Sequence, residues 1–132
     1  MLLKRISRIL SSLELTMVLL ALSLILVFVG TMAQEPLGLY IAQARFFHSF
    51  FVDWASLLAA LKKAAQLLNI YVTPMQADEV LSAPWIPIFP GGYLLGGALL
   101  VNLLAAHWRR FVFTKKKVGI FMTHAGLVIL LL

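Results

Sequence analysis

An apolar run near the N-terminus constrains the fold of this chain more than any other feature. Residues 15–33 contain no charged side chain. The polar or flexible residues within the run are Thr16, Ser23, Gly30 and Thr31. Its 19 residues are close to the roughly 20 that a helix needs to cross a bilayer. A helix that is apolar on all sides has no face to turn towards water. The run therefore predicts a transmembrane helix, placed at residues 13–33.

Composition extends this prediction to the whole chain. The sequence is 62% hydrophobic and 12% charged, whereas a soluble domain has about 45–50% apolar and about 25% charged residues. Two further apolar runs cover residues 88–108 and 118–132. The last would reach only about 22 Å into a core of about 30 Å. We therefore expect an all-α membrane protein with three transmembrane helices, of which the third is incomplete because the natural protein continues.

The first run has a second interpretation, as a cleaved signal peptide. A basic start precedes the apolar stretch, and Thr31-Met32-Ala33 offers small residues at the spacing of a cleavage site. Signal-peptide cores usually have about 7–15 residues, and this run is longer. We favour a retained helix.

The connection at residues 34–87 contains a segment with helical periodicity. Large apolar residues recur on one stripe from Phe47 to Leu68, with Asp53 and Ser56 opposite. This pattern predicts an amphipathic helix at about residues 46–69. Asp53 and the Lys62-Lys63 pair make it too polar to span, so we expect it to lie at the membrane interface. Packing against the rest of the protein is the alternative.

The basic residues predict the topology. Three lie in the arm at residues 1–12 and five in the turn at residues 109–117, against three in the 34–87 connection. Short cytoplasmic segments are enriched in Lys and Arg. We therefore expect a cytoplasmic N-terminus, an extracytoplasmic connection and a cytoplasmic basic turn. The positive charge flanks apolar runs and does not form the basic face of a nucleic-acid-binding domain.

Two histidines within the apolar runs are candidates for a functional site. Ionisable groups inside spans are costly and often functional. His124 lies about 10 Å along its helix from Lys117, beside a stripe of small residues that includes Gly119 and Gly126. A buried histidine bonded to a neighbouring helix is the alternative. His107 is the second candidate, although an interfacial histidine needs no special role there. Asn102, in mid-span, is expected to donate a hydrogen bond to another helix.

The short basic turn makes the second and third spans an antiparallel hairpin, which brings His107 and His124 to the same end. Imidazoles in a glycine-lined apolar crevice suit haem iron, and Arg109 and Arg110 are candidate contacts for its propionates. A zinc site is disfavoured because too few ligands are present. The chain has no cysteine, which excludes a thiol nucleophile. No motif of a soluble enzyme is present.

Several segments together resemble the start of the ResB/CcsB family, the membrane subunits of the System II machinery of cytochrome c-type biogenesis. They are GTMAQ at the end of the first run, FPGGYLLG followed by NLLAAH in the second, and GIFMTHAGL in the third. The resemblance covers nearly the whole chain.

The resemblance implies a function. Family members work with a CcsA-type membrane partner in the bacterial cytoplasmic (inner) membrane. The complex carries non-covalent haem b across the membrane for covalent attachment to apocytochrome c. The resemblance makes His124 an axial ligand of the haem iron, and it gives His107 no role. Family members continue into a large extracytoplasmic domain and a fourth span, so this chain would be non-catalytic alone.

Two other hypotheses remain. The chain is a structural transmembrane scaffold without a cofactor, its histidines making only helix–helix contacts. A membrane-permeabilising peptide of the holin type ranks last, because such peptides usually end in a charged tail and this sequence ends apolar.

Overall fold

The computed structural model describes residues 2–110 and 117–132, and this part of the chain is mostly helical. The helices are α1 (Leu2–Leu10), α2 (Leu13–Leu37), α3 (Leu39–Ala42), α4 (Trp54–Leu67), α5 (Ala77–Ser82), α6 (Gly92–Arg110) and α7 (Val118–Leu131). A π-helical turn covers Gln43–Phe47, and two strands, β1 (Phe51–Asp53) and β2 (Pro87–Pro90), form an antiparallel sheet. The expectation of an all-α fold was therefore wrong in this one respect. The helical start of the basic arm was also not predicted.

Helix α2 carries the first predicted span. It is long and apolar enough to cross a membrane, and it continues four residues beyond the predicted end at residue 33. Gly38 follows it with a φ of 79°, a conformation that glycine adopts without strain and that residues with a Cβ rarely adopt. The apolar helices Gly92–Trp108 and Val118–Leu131 are shorter. Three membrane spans therefore stay a prediction.

The described residues divide into two compact units. One comprises the described parts of Met1–Ala21 and Gly96–Leu132, and the other comprises Leu22–Leu95. In the first unit, the chain leaves helical geometry at Ser11 and Ser12, between α1 and α2. In the second unit, the buried apolar side chains include those of Phe46, Val52 and Val80.

The β-ribbon of the second unit depends on two glycines. The Gly91 N–H donates to the Phe50 carbonyl at 2.8 Å, and the Tyr93 N–H donates to the Ser49 carbonyl at 3.1 Å. A Cβ on Gly91 would overlap the backbone of Ser49, and one on Gly92 would overlap the backbone of Phe47. Only residues without a Cβ allow the two segments to approach this closely. The second span was expected to begin at residue 88, but this pairing delays the helix to Gly92.

The predicted amphipathic helix at residues 46–69 was wrong in its first eight residues. Helix α4 begins at Trp54. The preceding residues belong to the π-turn, to a bend at residues 48–50 and to β1, where Val52 pairs with Phe89 of β2. Asp53 caps α4 by accepting a hydrogen bond from the Ser56 N–H, and such a cap fixes the start of a helix.

The buried face of α4 also differs from the predicted one. The buried residues of α4 are Ala55, Ser56, Ala59 and Ala60. Leu61 and Leu67, by contrast, are half or more exposed. Small side chains let this helix approach the rest of its unit closely. The alternative of a helix packed against the protein therefore describes α4, and its outward apolar residues remain available for a membrane interface.

Candidate functional site

The first unit contains a polar contact among apolar helices, centred on Asn102 of α6. Its side-chain amide donates to the Leu10 carbonyl at 2.7 Å and to the Ser12 carbonyl at 3.3 Å, and its Oδ1 accepts from the Thr16 hydroxyl at 2.7 Å. The Asn102 side chain is 3% exposed. The predicted role of Asn102 as an interhelical donor is confirmed. The amide satisfies carbonyls at the break between α1 and α2, so its role is structural.

The same unit brings His107 of α6 and His124 of α7 together. The centroids of the two imidazole rings are 4.7 Å apart, and the ring planes are inclined by 54°. The ring of Phe121 lies 6.3 Å from that of His107. Both histidines are half-buried. We refer to His107 and His124 as the histidine pair.

The orientation of His124 is fixed by its own helix. Its Nδ1 lies 2.7 Å from the Ile120 carbonyl oxygen, one turn earlier. A carbonyl can only accept, so Nδ1 carries the proton and Nε2 carries the free lone pair of the neutral ring. A hydrogen bond from the ring nitrogen that does not bind the metal orients a ligating imidazole and makes it a better donor to the metal. The sequence did not reveal this contact.

The surroundings of His124 are open. Among the described atoms, none outside the local helix lies within 4 Å of where a Cβ would stand on Gly119 or Gly126. No residue of α7 is buried. The Thr123 hydroxyl donates to the Gly119 carbonyl at 3.0 Å, so it is occupied within the helix. A large apolar group could therefore approach this face of α7.

Other predicted site residues lie outside what is described. The side chains of Arg109 and Arg110, the candidate propionate contacts, fall outside the described residues, as does most of the basic turn. Within residues 2–110 and 117–132, no group of three or more His, Cys, Asp or Glu side chains could hold a metal ion. Any metal at the histidine pair would therefore take two ligands from the described chain.

The third histidine, His48, lies in the other unit. It is exposed, and its ring stacks on that of Tyr93 with centroids 5.9 Å apart and planes inclined by 15°. Nothing in this arrangement resembles a ligand site. His48 therefore serves as a natural control for experiments on the histidine pair.

Sequence reasoning missed a buried charged cluster in the second unit. Asp53 was assigned to the polar face of a helix, but it is 1% exposed. It accepts from Arg45 at 3.0 Å and from the Ser56 hydroxyl at 2.7 Å. Burial alone raises the pKa of Asp53, but the hydrogen bonds from Ser56 and Arg45 outweigh this, so its pKa lies below the ordinary value. The Asp-x-x-Ser spacing of an N-cap is the signal that could have located it.

Comparisons with family models, with curated proteins and with solved structures found no match.

Proposed function

We propose that this chain is a haem-handling membrane subunit of a cytochrome c synthase complex, in which His124 ligates haem b in transit. The observation that carries the proposal is the orientation of His124. Its Nδ1–H is held by the Ile120 carbonyl, which leaves Nε2 available for iron. The resemblance of the THAG segment to the ResB/CcsB family supports the same residue.

The open face of α7 supports access to His124. Gly119 and Gly126 have no described neighbour at their Cβ positions beyond the local helix. An apolar macrocycle needs such a surface to lie close to a helix. In this proposal the glycines allow the haem cargo to approach, and Arg109 and Arg110 meet its propionates.

The second iron ligand comes from a CcsA-type partner. Metal–imidazole bonds are about 2.0–2.1 Å long, so two imidazoles on opposite sides of one iron have centroids separated by about 6 Å. The rings of the histidine pair are 4.7 Å apart, which leaves no room for a macrocycle between them. His107 therefore lines the site, and the ligand opposite His124 belongs to the partner.

The proposal includes a location and further partners. Helix α2 is long and apolar enough to span a bilayer. We infer that the protein lies in the bacterial cytoplasmic membrane with its N-terminus in the cytoplasm. Lipid surrounds its apolar helices. Apocytochrome c reaches the protein through the assembled complex. No role with nucleic acid is proposed.

A haem spectrum tests the proposal. The protein is co-expressed with its CcsA-type partner and purified in detergent as wild type, His124→Ala and the control His48→Ala. We expect a low-spin b-type spectrum in wild type and His48→Ala, and its loss in His124→Ala, because that change removes an axial ligand. Equal spectra in all three, or an intact complex without haem, would show that His124 is not a haem ligand.

The second candidate function is a transmembrane scaffold without cofactor. The observation that favours it is the Asn102 contact, which shows that a polar side chain in this unit serves to join helices. The histidine pair and Phe121 would then form a packing cluster. Partner binding that is retained in His124→Ala, with no haem in the wild-type complex, would support the scaffold.

A further inference from the structure

We propose that the histidine pair also chelates one Cu²⁺ ion in the absence of haem. This site goes beyond the haem function and does not require it. It needs no residue from a partner, because both imidazoles belong to this chain.

The spacing of the rings carries the proposal. With metal–nitrogen bonds of about 2.0–2.1 Å, two imidazoles in adjacent coordination positions have centroids about 4.5–5 Å apart. The observed separation is 4.7 Å, with planes inclined by 54°. The histidine pair therefore has the spacing of ligands that share an ion from neighbouring positions, and not that of ligands on opposite sides.

The state of His124 adds to this argument. The bond from Nδ1–H to the Ile120 carbonyl fixes the ring before any ion binds. A fixed ligand loses little side-chain freedom on binding, so the two imidazoles act as a chelate. His107 is held on the other helix beside the Phe121 ring.

The donor set selects the class of ion. The chain has no cysteine, and within the described residues no acidic group joins the pair in a three-ligand cluster. A site of two neutral nitrogens discriminates against Mg²⁺ and Ca²⁺, which prefer oxygen, and it favours Cu²⁺ over Zn²⁺ and Ni²⁺. Both histidines are half-buried, so neither ring is closed off by this chain from an incoming ion. An ion held here would occupy the lone pair of His124 and compete with haem.

Copper binding tests the site. The 132-residue chain in detergent micelles, without haem or partner, is mixed with one equivalent of Cu²⁺ at neutral pH and studied by electron paramagnetic resonance. We expect hyperfine splitting from two imidazole nitrogens in wild type and in the control His48→Gln. His107→Gln and His124→Gln should each lose the two-nitrogen signal. Circular dichroism establishes that each variant keeps its helices.

Three results would overturn the proposal: a wild-type spectrum with fewer than two imidazole nitrogens, an unchanged spectrum in both pair variants, or an equal loss in His48→Gln. The wild-type spectrum decides even if a variant fails to fold. Haem is absent from the copper experiment, so a negative copper result does not contradict the haem proposal. Likewise, a complex that contains no haem does not contradict the copper site.

Discussion

Asp53 illustrates how much of this fold depends on single side chains. Its carboxylate lies at the start of α4, is 1% exposed, and receives hydrogen bonds from Arg45 and from both the N–H and the hydroxyl of Ser56. One side chain thus joins the π-turn, β1 and α4. A buried carboxylate is tolerated only where its oxygens are satisfied in this way.

We expect Asp53→Ala to lower the free energy of unfolding by about 2–4 kcal/mol, because it removes an N-cap and leaves Arg45 without its buried partner. Denaturant titration in detergent micelles, followed by circular dichroism, measures the change. Asp78→Ala is the matched control, since Asp78 is exposed and should change stability by no more than about 0.5 kcal/mol. Equal effects of the two substitutions would contradict the assigned role.

The same carboxylate predicts a dependence of stability on pH. The folded pKa of Asp53 lies below its ordinary value of 3.8, so the contribution of Asp53 to stability is fully present above that value. It is lost as the pH falls from there through the folded pKa. Unfolding titrations between neutral pH and the acid range should show this loss in wild type and a smaller one in Asp53→Asn. If the stability of Asp53→Asn fell with pH as steeply as that of wild type, the role assigned to the Asp53 carboxylate would be contradicted.

At the scale of elements, the contact between the π-turn and the start of α6 sets where that helix begins. Gly91 and Gly92 place their backbone directly against Ser49 and Phe47. Neither strand is longer than four residues, and an isolated ribbon of this size would not be stable in water. The packing of the flanking helices must therefore support it.

We expect Gly92→Ala to destabilise the protein by about 1–3 kcal/mol, because the added Cβ overlaps backbone that cannot rotate away. Gly97→Ala in the same helix is the control. No described atom beyond the local helix lies within 4 Å of its Cβ position, so the better helix propensity of alanine should leave stability unchanged or raise it by up to about 1 kcal/mol. Thermal melts of both variants provide the comparison, and a melting temperature of Gly92→Ala equal to wild type would show that the segments can separate freely.

For the whole molecule, topology is the property that most needs a direct test. The chain has no cysteine, so single cysteines report sidedness without background. Tyr71 is fully exposed in the connection, and Lys117 is exposed at the start of α7. In intact spheroplasts, a membrane-impermeant maleimide should label Tyr71→Cys and should label Lys117→Cys only after permeabilisation. The opposite pattern would reverse the proposed orientation.

The sequence predicted the long helices because their signals extend over many residues. Helix α2 follows from composition alone, and the close approach of His107 and His124 agrees with the prediction that a short turn joins their helices. The β-ribbon was not predictable in this way, because strands of three and four residues are too short to show a periodic hydrophobic pattern. The buried face of α4 was missed because alanines and a capped serine, rather than leucines, form it. The tautomer of His124 depends on one carbonyl contact that no pattern encodes.

The Asn102 contact limits when the junction between α1 and α2 can form during protein synthesis. Asn102 follows Thr16 by 86 residues. At about 5–20 residues per second, synthesis reaches Asn102 roughly 4–17 s after Thr16 has been added to the chain. Until then the Leu10 carbonyl must be hydrated or bonded elsewhere, whereas the Ser12 carbonyl accepts from the nearby Thr16 N–H. Helix α2 can insert early, but its junction with α1 reaches its final state only when α6 has been synthesised.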